Sequence, residues 1–440
     1  MADHTGQPEQ SSSLVEDPGA PLAAEPGLPP PSPPLHLFRA LRHRNFRLFC
    51  FGQIISLCGT WMQSVAQTWL VFRLTRSEFL VGLTYFWLQL PVFALAPLGG
   101  LASDRRSRHR IVILCQTLSM LQALVLGALT ISGRVEVWHV LALAAVLGFI
   151  NAFDMPARQS FLVEMASKED LLNVISLNSS IFNFARVAGP GIAGILVDRL
   201  GEGICFLVNG LSFVAVILSL LAMRLPPFRR SVVDSPWEHL REGFRYAYHR
   251  LPVRYLLLLL GAATLSCAPA ITLMPFFAEE ILGRGAPGMG ILLAAMGIGA
   301  LLGTLALASR STSQGLINVV VLGCCGLGVA LILLALSRSF LLSTAIMFGL
   351  GFSALRQMAS TNTLIQSFIP DRYRGRIMSM YTMTVVGLTP FGSLLGGAVA
   401  SRYGPPVTVA AGGVLCLLAS LVFWTRLDQF QRSTQGEFPA

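Results

Sequence analysis

The side chains of this 440-residue chain best placed for chemistry are a few charges set inside long apolar stretches. Arg186 lies about 15 residues into the run from 172 to 197, roughly 22 Å along a helix axis at 1.5 Å per residue. A cation that deep in hydrocarbon costs about 2.5–3.5 kcal/mol unless it faces a wet cavity or an acid. Ser176, Ser179 and Asn183 precede it at helical spacing and draw one polar stripe along an otherwise apolar helix. Arg356 sits at similar depth in the run from 340 to 363. Three roles suit such arginines: counter-charge for an anionic small molecule, proton coupling, or a structural pair. Gln53, Trp61, Gln63, Gln67, Tyr85, Trp87, Gln89, Gln357, Thr361, Asn362, Tyr381 and Thr384 can line a mixed aromatic and polar cavity for an amphipathic ligand, and each suits helix contact equally.

A second cluster, Gly100-Leu-Ala-Ser-Asp104-Arg105-Arg106-Ser107-Arg108-His109-Arg110, ends an apolar run. Gly100 and Asp104 are four apart and share a helix face, where the glycine would admit a neighbouring helix and the carboxylate a cation or helix N-terminus. Asp154 and Arg158 fall at the end of another run, with Pro156 loosening the last turn. Pairing of Asp104 with Arg158 and of Arg105 with Asp154 is the expected cross-helix charge cluster; a solvated helix end with a local ion pair is the alternative. Gly189-Pro190-Gly191-x-x-Gly194 reads as a close-packed bend. Glu279 and Glu280 are placed at the end of the seventh run.

The elements that must position these residues are membrane-spanning helices. The chain is 53% hydrophobic and 12% charged, against roughly 25% charged in soluble domains. From Phe46 onward, apolar stretches of helical length recur twelve times. The net charge of +10 is distributed between those runs, as orientation in a bilayer requires, rather than gathered on one wet face as for nucleic acid. Alternating the spans places most Lys and Arg on the side of both termini, and that side is expected to be the cytoplasm. The expected organisation is a Pro-rich disordered tail at 1–36, a six-helix bundle at 37–224, a linker at 225–252 with a short amphipathic helix around Trp237–Tyr248, a second six-helix bundle at 253–426 and a tail at 427–440. The eight cysteines lie in or beside apolar runs without a C-x-x-C pair, so they read as small apolar filler and no metal site is expected.

The halves repeat. Gly189 to Gly201 aligns without gaps on Gly392 to Gly404, sharing three glycines and an arginine. Gln159-Ser160-Phe161 recurs as Gln366-Ser367-Phe368 at nearly the same offset, and Ser103-Asp104-Arg105 faces Ala308-Ser309-Arg310. Parallel repeats of six helices place a ligand site between them near the bilayer midplane.

Gly100, Asp104, Arg105 and Arg108 resemble the G-x-x-x-D-R-x-G-R-[RK] loop of the major facilitator superfamily, with Ser107 in place of the second glycine and His109 in place of a basic residue. Asn45-Phe-Arg-Leu-Phe, Asp154-Met-Pro-Ala-Arg-Gln, the segment from Asn178 to Pro190 and Arg374-Gly-Arg-Ile-Met-Ser are similar to the bacterial branch that includes enterobactin exporters and macrolide efflux proteins. The resemblance implies an all-α fold of twelve transmembrane helices in two pseudo-symmetric bundles, the loop motif acting as a gate latch that stabilises the outward-open state, and export of amphipathic organic compounds.

No nucleophile elbow, zinc spacing or phosphate loop occurs in the sequence, so the reading is a transporter and not an enzyme. The expectation is a monomeric secondary exporter in the bacterial cytoplasmic (inner) membrane, driven by a proton gradient without a cofactor. Its expected partners are lipid, protons and a small molecule, with no nucleic acid. An importer or facilitator of the same fold is the alternative within transport; a membrane sensor or scaffold using the N-terminal tail is the alternative outside it.

Overall fold

The computed structural model describes residues 39–165, 169–224, 250–310 and 315–427. The expected N-terminal tail, the C-terminal tail beyond Leu427 and nearly all of the expected linker, including the helix around Trp237–Tyr248, lie outside them. Among the described residues, twelve helices are long and apolar enough to cross a membrane: α1 (Arg44–Thr75), α2 (Glu78–Arg105), α3 (Arg108–Ile131), α4 (Val137–Glu164), α5 (Leu171–Leu200), α6 (Glu202–Leu221), α7 (Leu251–Thr272), α8 (Gly285–Ala308), α9 (Leu316–Leu336), α10 (Phe340–Phe368), α11 (Asp371–Tyr403) and α12 (Pro405–Thr425). The protein is a multi-pass membrane protein with the architecture the sequence predicts.

Local chemistry fixes the helix ends. Arg76 closes α1 in the left-handed region at φ 48°, its N–H on the Phe72 carbonyl, and Ser77 Oγ accepts from Leu80 N to cap α2. Glu136 and His139 form a reciprocal capping box on α4. α7 begins at Leu251, inside the expected linker, with Pro252 in the first turn where its missing donor is harmless. The seventh span does not run on to Glu279: α7 ends at Thr272 and is followed by a one-turn helix, Met274–Phe276, and a π-helical turn, Phe277–Ile281. Pro269 and Pro275, which bring no N–H, account for the break.

The repeat is visible in the backbone. Gly201 joins α5 to α6 at φ 81°, ψ 167°, and Gly404 joins α11 to α12 at φ 84°, ψ 157°. Only glycine occupies that region readily, and the same residue recurs at the same place in each half. Helices α1–α6 pack together, as do α7–α12, and the two groups meet along α2 with α11 and α5 with α8. Large apolar side chains such as Leu172, Leu258, Leu322 and Leu341 point outward as a lipid-facing surface, with Trp138 and Trp424 exposed near helix ends. Below, the terminal face is the end where α1 begins and α12 finishes; the far face is the other.

Candidate functional site: a cavity between the two helix bundles

A cavity of about 320 Å³ lies between the halves. α1 contributes Trp61 and Ser64, α2 Tyr85, α5 Arg186 and Pro190, and the second half Leu260, Cys267, Met296, Gln357, Met358 and Thr389. Gly189 sets the position of Trp61, because a Cβ there would lie 2.5 Å from that of Trp61. Trp61 meets Phe182 edge-on at 5.7 Å. Thr68 Oγ1 donates to the Tyr85 hydroxyl at 3.2 Å. Arg186 is the one charged side chain among the lining residues. Its Nη2 donates to Asn183 Oδ1 at 2.9 Å, and its buried Nε has no hydrogen-bond partner. A guanidinium presents five donors in a planar fork, so an unpaired Nε beside Nη2 is the geometry that accepts an oxyanion.

An adjoining cavity of about 410 Å³ shares Trp61, Ser64 and Tyr85 and extends into the first half, where Gln63, Gln67, Gln89, Gln122, Asn151 and Asn209 line it. The stripe expected on α5 is present: Asn183 Nδ2 donates to the Ser179 carbonyl, and Ser176 and Ser179 are exposed between Arg186 and the terminal face. Gln63, though it lines this cavity, has its amide engaged with neighbours, donating to Gln122 Oε1 at 3.0 Å and accepting from Asn209 Nδ2 at 2.7 Å. Two other expected lining residues have different places. Tyr381 donates to the Met358 carbonyl at 3.0 Å and so ties α11 to α10; it lines neither cavity. Arg356 lines neither cavity either: its guanidinium lies 5.6 Å from the Phe352 ring, on the same helix one turn away. Gln357, one residue on, takes the cavity position instead, and a helix turns about 100° per residue.

The far face is closed. A Cβ on Gly82 would lie 2.5 Å from the Ser393 carbonyl oxygen and 3.2 Å from the Gly397 Cα, so α2 and α11 touch backbone to backbone. Gly194 meets Gly290 in the same way between α5 and α8, as its expected packing role requires. Phe72 and Phe276 stack edge to face at 4.7 Å, Arg76 covers the Phe72 ring at 4.4 Å, and its Nη1 is 3.6 Å from Glu280 Oε1. The two halves are therefore held together at the far face.

At the terminal face the expected charge cluster is rearranged. Gly100 meets nothing; Gly99 is the contact glycine, where a Cβ would lie 2.0 Å from the Ala152 carbonyl oxygen of α4. Asp104 is held loosely by Arg108 at 3.5 Å, Arg108 also binds Glu164 at 2.8 Å, and Arg105 is exposed. Asp154 is buried, accepts from Gln116 Nε2 at 3.0 Å and pairs with Arg158. Neither expected cross-pair forms: both acids take an arginine four residues on, Asp154 from the next turn of its own helix and Asp104 from the first residue of α3, across the short turn that ends α2.

A sequence profile of transmembrane secretion effectors matches residues 36–436. The chain belongs to this family of the major facilitator superfamily.

As a transmembrane secretion effector it is a transporter and not an enzyme. It is 26% identical to the multidrug efflux pump Tap of Mycolicibacterium fortuitum, over 88% of this chain and 97% of that one. It is 22% identical to the staphyloferrin A transporter of Staphylococcus aureus, over 86% and 95%, and 23% identical to the enterobactin exporter EntS of Shigella boydii, over 91% and 96%. Among solved structures, the nucleoside transporter NupG superposes with a TM-score of 0.68 at 15% identity, covering 89% of this chain and 99% of that one, a likeness of fold.

Several residues that hold the family fold in this chain carry little signal in the sequence. Glu202, buried at the start of α6, takes two hydrogen bonds from Arg73, at 2.7 and 3.2 Å. Asp170, before α5, binds His43 at 2.7 Å and Arg39 at 3.0 Å, while Asn173 Oδ1 accepts from Ala40 N. The hydrogen bond from His43, then the charge of Arg39, hold the Asp170 carboxyl below the usual aspartate range. Asn45 and the Arg224 backbone exchange two hydrogen bonds between α1 and the end of α6. All three join segments distant in sequence, and spacing reports only neighbours on one helix.

Proposed function

We propose that this transmembrane secretion effector exports small amphipathic organic anions across the bacterial cytoplasmic membrane in exchange for protons. The observation that carries the reading is Arg186, alone among charged side chains in the cavity lining, with an unpaired buried Nε and an otherwise largely apolar and aromatic wall. An anionic group is favoured there because it replaces the hydration the guanidinium lacks, and the apolar wall takes the body of the compound. The efflux pump and exporter among its relatives support the outward direction. The arginines gathered at the terminal face support a cytoplasmic location for both termini, and with the far face shut the cavity takes its cargo from the cytoplasm. Rocking of the halves then closes that side and parts the far face.

The test uses inside-out vesicles with an imposed pH gradient. An exporter accumulates anionic amphiphiles in them, a protonophore abolishes the uptake, and Arg186→Gln lowers it at least tenfold while Arg186→Lys retains part. Uptake indifferent to the gradient overturns proton exchange; uptake confined to right-side-out vesicles overturns export.

A further inference from the structure

The amides around the cavity in the first half fall into two groups. Gln63, Gln122 and Asn209 are engaged with one another: Gln63 Nε2 donates to Gln122 Oε1, Asn209 Nδ2 to Gln63 Oε1, Ser212 Oγ to Asn209 Oδ1 at 3.1 Å, and Gln122 Nε2 to the Leu143 carbonyl at 3.4 Å. This chain links α1, α3 and α6 and leaves little capacity for a ligand. Gln67, one turn along α1, is different. It is 4% exposed, lines the same cavity, and its Nε2 is buried without a hydrogen-bond partner. Gln89 from α2 and Asn151 from α4 line that cavity too, and their side chains make no hydrogen bond among the described residues. Native proteins pair nearly all buried polar groups, so the orphaned Gln67 amide calls for a partner, and the half-buried, unpaired Gln89 and Asn151 bring two more amides to the same cavity from two other helices.

The chemistry of that partner is restricted. The 410 Å³ cavity has no Asp, Glu, Lys, Arg or His in its lining. A carboxamide offers two donors and one acceptor, and its complement is a neutral group that both donates and accepts. We infer that Gln67, Gln89 and Asn151 form a neutral hydrogen-bonding subsite that recognises hydroxyl groups on the uncharged end of a ligand whose anion is held at Arg186. The inference rests on the reading of the Arg186 cavity as the site of the transported anion. The two cavities share Trp61, Ser64 and Tyr85, so one molecule can span them. A compound carrying a cationic centre finds no counter-charge in either lining.

The experiment measures binding of cholate and lithocholate to the full chain in lipid nanodiscs. These steroids share a carboxylate and a rigid apolar body, and cholate has two additional hydroxyls. The wild type is expected to bind cholate about tenfold more tightly. Gln67→Leu and Asn151→Leu each weaken cholate toward lithocholate and leave lithocholate unchanged or improved. Asn209→Ala, which breaks the supporting chain, lowers thermal stability, and Gln67→Met provides a second unbranched replacement should Gln67→Leu not fold. A wild type without preference for cholate, or variants that weaken both steroids equally, overturn the subsite. Arg186→Gln reads the underlying proposal separately: it weakens both steroids alike if the anion site is there, and unchanged binding of both overturns that site whatever the hydroxyl preference.

Discussion

Phe72 of α1 and Phe276 of the turn after α7 meet edge to face at 4.7 Å, joining the two halves on the far face with both rings almost fully buried. Aromatic pairs of this kind contribute about 0.5–1.5 kcal/mol beyond their burial. The contact can exist only while the far face is shut, so removing it weighs on one state of the transport cycle. Phe276→Ala is therefore expected to raise the population open at the far face. Spin labels at Ser77 and Gly283 in a cysteine-free background, one on each half, will show a longer distance gaining amplitude; an unchanged distribution contradicts this.

Two ion pairs near that face differ in burial, and their removal should differ accordingly. Glu202 is 5% exposed and doubly bonded to Arg73, whereas the Glu280 side chain is 46% exposed and 3.6 Å from Arg76. Glu202→Ala is expected to lower stability by about 1–3 kcal/mol, discounted because Arg73 itself is half exposed. Glu280→Ala is expected to change it by less than about 1 kcal/mol. Thermal unfolding in detergent compares them, and equal effects would refute the ranking.

Asp104 and Asp154 should separate function from stability. Asp104 is partly exposed and held only at 3.5 Å, so Asp104→Asn should leave the melting temperature nearly unchanged while lowering vesicle transport. Asp154 is buried between Gln116 and Arg158, and its neutralisation leaves the guanidinium without its carboxylate. Asp154→Asn should lower stability by about 1–3 kcal/mol. Full transport by the Asp104 variant would remove the latch role.

The segment before α1 should loosen in acid. The Asp170 carboxyl is held below its ordinary value of 3.8, so its contribution to the folded state is complete above that pH and is lost as pH falls below it. Pepsin should cut near residues 39–43 with increasing speed as pH drops from about 4 toward 2, beyond the change in pepsin's own activity. Asp170→Asn, already lacking the charge, should be cut readily throughout; a wild-type profile from this variant would show that another group holds the strap.

Helix count, length and the internal repeat were legible because each depends on composition along one segment, and Gly201 and Gly404 show the repeat extending to the same rare backbone geometry. Arg186 was legible for a related reason, since a cation in an apolar run needs a wet or polar surround wherever the neighbours are. What was not legible depended on rotation between helices. Gly99 rather than Gly100 touches α4, and of the two adjacent residues expected at the cavity, Arg356 and Gln357, only Gln357 reaches it. One residue's step turns a side chain by about 100°, and a uniformly apolar helix gives no amphipathic stripe to fix that angle. The local pair of Asp154 with Arg158 is one of the two arrangements their spacing allows, and spacing along one helix does not choose between it and a cross-helix pair; the buried Gln116 on α3 has no spacing relation to Asp154 at all.

The glycine contacts on either side of the closed end have a mechanical consequence. At Gly82 with Gly397 and at Gly194 with Gly290, smooth backbone rests on smooth backbone, so no side chains interlock at these two positions. They behave as plain bearings rather than gears: the halves can tilt about them without unmeshing teeth. Friction in the cycle is thereby concentrated in the few contacts that must part at the ends, and a single methyl group added to either bearing would act as a wedge.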